Sequence, residues 1–165
     1  MLSREGRNSR PMTWITSTKA GSWLAQKTYV PLDKWVFRKT GGRRGLSPRR
    51  TMFRLTTTGA RSGQTRSVPV LYLREGSTFW VMGSNFGGTN HPGWSYNLLA
   101  NPDANVQIGD ERHDVRARLA GDEEKERMWP QLIELYPSWK QYVKWTDREF
   151  RLFALEPRDE RETSG

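Results

Sequence analysis

From Thr51 to Pro157 the chain is cut into short β-prone runs by glycine-bearing turns. That punctuation constrains the fold more than any other feature, because short runs joined by tight turns pair as antiparallel hairpins. TMFRLTTT ends in a β-branched run and is followed by the turn residues GARSGQ. RSVPVLYLR reads as the next strand, EGS as a turn, and TFWVMG as a third strand in hairpin with it. ANVQIG and RHDVRARLA flank Gly109-Asp110 as a second hairpin, and FRLFALEP is a final strand.

Two helical stretches interrupt the strands. WSYNLLANP is a short helix ended by Asn101 and Pro102, and it follows SNFGGTNHPG, whose Gly, Asn and Pro content forbids regular structure. DEEKERMWPQLIELY is a longer helix that Asp122 is expected to cap, with Pro130 kinking it or splitting it in two, and SWKQYVKW adds a further turn or two. Strands and helices do not alternate, which argues against a doubly wound sheet. The expected architecture is mainly β within the α+β class: about six strands closing into a small barrel with flanking helices.

The charge divides the chain differently. Up to Arg50 there are twelve Lys and Arg against two Asp and Glu, whereas the remainder is nearly balanced. Residues 1–50 therefore read as a basic, Trp-rich leader, residues 51–157 as the barrel domain, and residues 158–165 as a disordered tail. Within the leader, DKWVFRKTGG has the pattern of a short helix. A basic leader suits an acidic partner: nucleic acid, an anionic membrane or an acidic ligand. The polar start MLSREGRNSR lacks a signal-like apolar stretch, so the expected location is cytoplasmic.

Many chemistries are excluded by what the chain lacks. With no cysteine there is no disulfide, thiolate nucleophile or Cys-ligated metal, and with only His91 and His113 a multi-histidine metal site has too few ligands. Nucleotide-loop, nucleophile-elbow and zinc-protease motifs are missing. His113 alternates with Val115 and reads as a surface residue. An enzyme without its own nucleophile or metal borrows its chemistry from a cofactor.

Three segments could serve one. Thr56 to Arg66 closes a strand with hydroxyls, glycines and two arginines, a composition that suits phosphate or carboxylate and equally suits an ordinary solvated hairpin. Ser84 to Pro92 is a polar loop leading into a helix N-terminus. Among five aromatics near the C-terminus, Trp129 and Trp145 read as core, while Tyr136, Trp139 and Tyr142 surround Pro137 and could line a pocket mouth.

In order, LTTTGARSGQTRSVPVLYL, GSNFGGTNHPGWSYNLLANPDANVQI and WPQLIELYPSWKQYVKWTDR resemble the deazaflavin-dependent nitroreductases, also called F420H2-dependent quinone reductases, of mycobacteria and their relatives. The resemblance implies a split β-barrel like that of the FMN-binding flavoproteins. It also implies coenzyme F420, whose acidic tail carries a phosphate and glutamates. By that resemblance Thr58, Gly59, Ala60, Arg61, Ser62 and Arg66 hold the tail and phosphate, and Val68 and Pro69 adjoin the ring, with Pro69 beneath it. Met82, Gly83, Ser84 and Asn85 border the ring, and His91, Trp94 and Asn97 complete the cofactor site. Tyr136, Trp139 and Tyr142 face the substrate, a quinone or nitro-aromatic, with Ser84 and Tyr136 as catalytic hydrogen-bonding groups. A membrane-dwelling quinone would give the leader, residues 1–40, a role in peripheral membrane contact. Three other readings stay open at this point. One is an FMN-dependent barrel; another is a nucleic-acid binder that uses the basic leader, although charge confined to the leader speaks against nucleic acid. The third is an F420 carrier or sensor with no turnover of its own.

Overall fold

A computed structural model of the chain describes residues 19–20 and 52–158. The expected leader helix, the membrane contact of residues 1–40 and the disorder of residues 159–165 lie outside the described residues. Seven strands form one sheet: β1 (Met52–Thr58), β2 (Thr65–Leu71), β3 (Leu73–Glu75), β4 (Thr78–Gly83), β5 (Asp103–Ile108), β6 (Glu111–Leu119) and β7 (Arg151–Pro157). Among residues 52–158, three α-helices accompany them: α1 (Gly93–Ala100), α2 (Asp122–Leu135) and α3 (Trp139–Tyr142).

The spatial order is β2-β1-β5-β6-β7-β4-β3, and every pairing is antiparallel. The two expected hairpins form with two-residue turns, Gly76-Ser77 and Gly109-Asp110, each opening on a glycine at φ +60°. The strand count is seven rather than six because RSVPVLYLR is not one strand. It breaks at Tyr72 into β2, at one edge of the sheet, and β3, at the other. Two edges separated by a single residue must meet, so the sheet curls into a split half-barrel. Tyr72 pins the closure: its ring lies 4.7 Å from Phe53 of β1 and 5.6 Å from Phe79 of β4.

Side-chain alternation then builds two apolar clusters. Phe53, Leu55, Val70, Phe79, Val81, Val106, Val115, Phe153 and Leu155 fill the barrel interior beside Leu98 of α1. Trp80, Met82, Leu152 and Ala154, from the opposite faces of β4 and β7, pack under Met128, Leu132 and Ile133 of α2 together with the α3 aromatics. His113 is half-buried rather than a surface residue, because it shares the inward register of Val115 and its ring sits 5.6 Å from Phe79.

The long helix differs from expectation at its start. Gly121 occupies the cap position, Asp122 is the first helical residue, and the Gly121 N–H donates to the Glu124 carboxylate at 3.0 Å. Helix α2 runs on through Pro130 and is not split. Arg118 grips the same carboxylate with two parallel bonds of 2.8 and 2.9 Å. The Arg118 guanidinium, then the Gly121 N–H, lower the Glu124 pKa to about 2 from an ordinary 4.5. A carboxylate with a depressed folded-state pKa stabilises the fold above its unfolded value, and that stability drains away as pH falls. Thermal midpoints should therefore fall between pH about 4.5 and about 2 in the native chain, with a smaller acid loss in E124Q. Equal acid losses in both proteins would show that Glu124 does not couple to folding; the carboxylate's exposure keeps the effect modest.

Candidate active site

The β1–β2 turn is built around Gly59. Its N–H donates to the Gln64 carbonyl at 2.8 Å, and the Gly63 N–H returns to the Gly59 carbonyl at 2.9 Å. A Cβ on Gly59 would stand 2.5 Å from Ser62 Oγ, which can swing aside, and 3.1 Å from the Gln64 carbonyl that the turn's own hydrogen bond holds in place. Helix α1 holds the turn through one residue. Asn97 Oδ1 accepts the Ala60 N–H, and Asn97 Nδ2 donates to Thr57 Oγ1, both at 3.0 Å. Asn97 therefore reaches the turn itself, and the Ala60 N–H is already engaged rather than open to an anion. Arg61, Ser62 and Arg66 are exposed, and neither arginine has an acidic partner among the described residues. Thr58 is half-buried where β1 enters the turn.

Along β2 the pleat separates two of the predicted ring neighbours. Val68 packs against the barrel interior, so its side chain does not face the site. Pro69 lies in the opposite register, shared with Leu71, which packs toward the α2–α3 cluster. Strand β2 touches β4 across the barrel's closure. At the end of β4, Met82 and Gly83 are buried, and Ser84 Oγ accepts the Trp139 indole N–H at 3.0 Å.

The chain then passes through three consecutive left-handed residues, Asn85 (φ 46°), Phe86 (φ 54°) and Gly87 (φ 73°). Asn85 Nδ2 donates to the Asn90 carbonyl at 2.9 Å, across the loop. Gly87 slides under α3, where a Cβ would stand 3.1 Å from Tyr142 Cα and 3.0 Å from Trp145 Cε3. Trp94 is half-buried against Phe153 at 5.8 Å and belongs to the barrel wall. The His91 Nδ1 lies 2.9 Å from an Arg148 N–H. Burial, then Arg151 and Arg148, lower the pKa of His91 below its ordinary value, so its ring is neutral at pH 7 and accepts that N–H.

The aromatic cluster reverses the expectation. Tyr136, Trp139 and Tyr142 are the core members at 5%, 2% and 1% exposure, whereas Trp129 and Trp145 are only half-buried. The two phenol oxygens lie 3.0 Å apart, and the Trp139 ring stands 5.4 Å from that of Tyr136, edge to face. The three rings form a packed wall beside Ser84 rather than an open mouth. The break at Pro137 makes α3 a single turn whose Trp139 and Tyr142 pack into the cluster while Lys140 and Gln141 face solvent. Sequence reasoning missed Arg148 and Arg151. Arg151 donates to Ser95 Oγ at 3.1 Å and lies 5.0 Å over the Tyr96 ring, fastening α1 to β7.

Strands β1 and β4 run in the same direction, so the exposed basic turn that follows β1 and the hydroxyl steadied by an indole that follows β4 lie at the same end of the sheet. Residues 30–157 match the family model described as F420H(2)-dependent quinone reductase, and the chain belongs to that family. Rv1261c, an F420H(2)-dependent quinone reductase of Mycobacterium tuberculosis, is 34% identical over 114 residues, covering 65% of this chain and 76% of the relative. A solved F420-H2-dependent reductase, FDR-A, superposes with a TM-score of 0.60 at 38% identity, over 65% of this chain and 95% of its own. The heme storage protein HutZ of Vibrio cholerae, at 14% identity and a TM-score of 0.51 over 80% of this chain and 92% of its own, shares the fold alone. No helix among the described residues is long and apolar enough to cross a membrane.

Proposed function

We propose that this chain is an oxidoreductase that uses reduced coenzyme F420 as hydride donor and a quinone as acceptor, with nitro-aromatics as a second acceptor class. The observation that carries the reading is the pair of exposed arginines, Arg61 on a glycine-built turn and Arg66 at the start of β2, which have no acidic partner among the described residues of the same split barrel that presents Ser84. The donor set fits the group. An acidic tail matches exposed guanidinium forks better than any neutral ligand would, and the Pro69 and Met82 surfaces suit a flat ring. When bound, reduced F420 supplies the hydride.

The chain's own part is attraction, orientation and stabilisation of charge. Arg61 and Arg66 draw the anionic tail to the turn. Asn97 keeps that turn in one place relative to α1. Ser84 accepts a bond from Trp139, which fixes its oxygen and leaves its own O–H to donate toward an acceptor oxygen as negative charge develops there. Tyr136, buried beside it and paired with Tyr142, supports that end of the site through its phenol.

Titration of the full chain with F420 and, separately, FMN at one salt concentration tests the assignment. F420 should bind tightly and FMN weakly, and S84A and Y136F should each lower quinone turnover by about tenfold. Preference for FMN would return the chain to the flavin reading. Unchanged turnover in both variants would remove the charge-stabilising role.

A further inference from the structure

Three left-handed residues in succession are costly for an L-chain. Asn85 and Phe86 carry a Cβ, and each such residue costs about 1–3 kcal/mol unless its surroundings enforce it. Neither end of the 84–88 turn is held by a side-chain cap. The enforcement comes from Arg148, which lies far along the chain in the segment before β7. Its Nη1 donates to the Gly83 carbonyl at 3.1 Å, and its Nη2 to the Ser84 carbonyl at 2.8 Å, just ahead of the strained triplet. Its Nε and Nη2 donate to the Gly88 carbonyl at 3.2 and 3.0 Å, just behind the triplet. The remaining Nη1 hydrogen reaches His91 Nδ1 at 2.9 Å. Every N–H of the guanidinium is spent on this one loop. The guanidinium itself is held over the Phe150 ring at 4.9 Å, and its partial burial strengthens the bonds it makes.

We infer that Arg148 is the positioning residue of the site, a clamp that brackets residues 85–87 from both sides and so sets where Ser84 and Asn85 stand. The inference rests on the F420 reading for its functional consequence, while the clamp itself is independent of any ligand. His91 belongs to the clamp as an acceptor, and its role is exerted through Arg148 rather than by touching the cofactor. The groups facing His91 are Arg148, Arg151 and the Tyr96 ring, which lies edge-on at 5.9 Å. A proton on His91 would set a third positive charge against two guanidiniums and remove the acceptor. The clamp therefore keeps all five bonds at neutral pH and loses the one to His91 as pH falls through the lowered pKa of His91, the four carbonyl bonds remaining. Lysine is no substitute, since a single ammonium cannot fork to carbonyls on both sides of the triplet.

The test uses the full chain without cofactor and then with F420. Hydrogen exchange across residues 84–90 should rise in R148A and R148K while the barrel strands keep their protection. In the native chain, the protection of the same segment, taken relative to its slower intrinsic exchange in acid, should fall as pH falls. The F420 dissociation constant should increase about tenfold in both variants, the loss of roughly 1.4 kcal/mol. Millimolar guanidinium added to R148A should recover part of that affinity, which a general loss of packing would not allow. Unchanged exchange at 84–90 in R148K overturns the clamp, and a flat acid response in the native chain overturns the part in it given to His91. Unchanged F420 affinity in R148K, beside a native chain that binds, overturns the positioning role. Should R148A fail to fold, R148K and the native acid series decide the matter. A native chain that binds no F420 refutes the proposed function, yet leaves the exchange result to decide the clamp.

Discussion

The double variant R61A/R66A is expected to bind F420 about tenfold more weakly than the native chain at low salt, with the gap narrowing as salt is added. Both side chains are exposed, so each interaction with the tail is worth no more than about 1 kcal/mol in screened solvent. The tail multiplies that effect, because a phosphate and several carboxylates present many charges to the same pair of forks. The hairpin itself should not suffer. Its closure rests on Gly59, Gly63 and Gln64 backbone bonds and on Asn97, none of which involves an arginine side chain. Equal F420 affinity for the double variant and the native chain at low salt would place the tail elsewhere. A lowered melting temperature would mean that the arginines serve the fold instead.

The largest loss of stability should come from Phe153→Ala. Phe153 is 1% exposed at the centre of β7, between β6 and β4, and its ring backs Trp94. Truncating a fully buried phenylalanine leaves a cavity that a closed sheet cannot collapse to fill, at a cost of about 3–5 kcal/mol. Against a typical total of about 5–15 kcal/mol, that leaves a protein near its folding threshold. Urea denaturation should show a markedly lower midpoint with the slope retained. A loss below about 1 kcal/mol would mean that the barrel interior relaxes far more than its packing implies.

Local signals carried much of the fold. The glycine turns at 76 and 109 and the Asn101-Pro102 stop appear where short-range chemistry demands them. The break at Tyr72 did not show, because RSVPVLYLR keeps its β character without a glycine or a polar interruption. What bends it is a ring drawn inward onto Phe53 and Phe79, and both partners are distant in the chain or in register. The burial of the aromatics near Pro137 is hidden from the sequence for a related reason. A one-turn helix is too short to display a period, so burial there follows from docking on the sheet. Val68 shows what the pleat adds to a motif: its side chain packs into the barrel, on the opposite side of the strand from Pro69. Arg148 left no sequence signal at all. Its partners are backbone carbonyls, and a carbonyl has no letter in the sequence.

The bent segment from Thr65 to Glu75 also bears on how the molecule behaves among its neighbours. An open sheet edge is a template for stacking onto other chains, and this one segment supplies both edges of the sheet. The β2 edge carries Pro69, which has no N–H to offer, and the β3 edge is three residues long with Arg74 and Glu75 at its exposed end. Crowded copies therefore find little to zip onto, and resistance to amyloid-like growth comes from the same stretch of chain that closes the barrel.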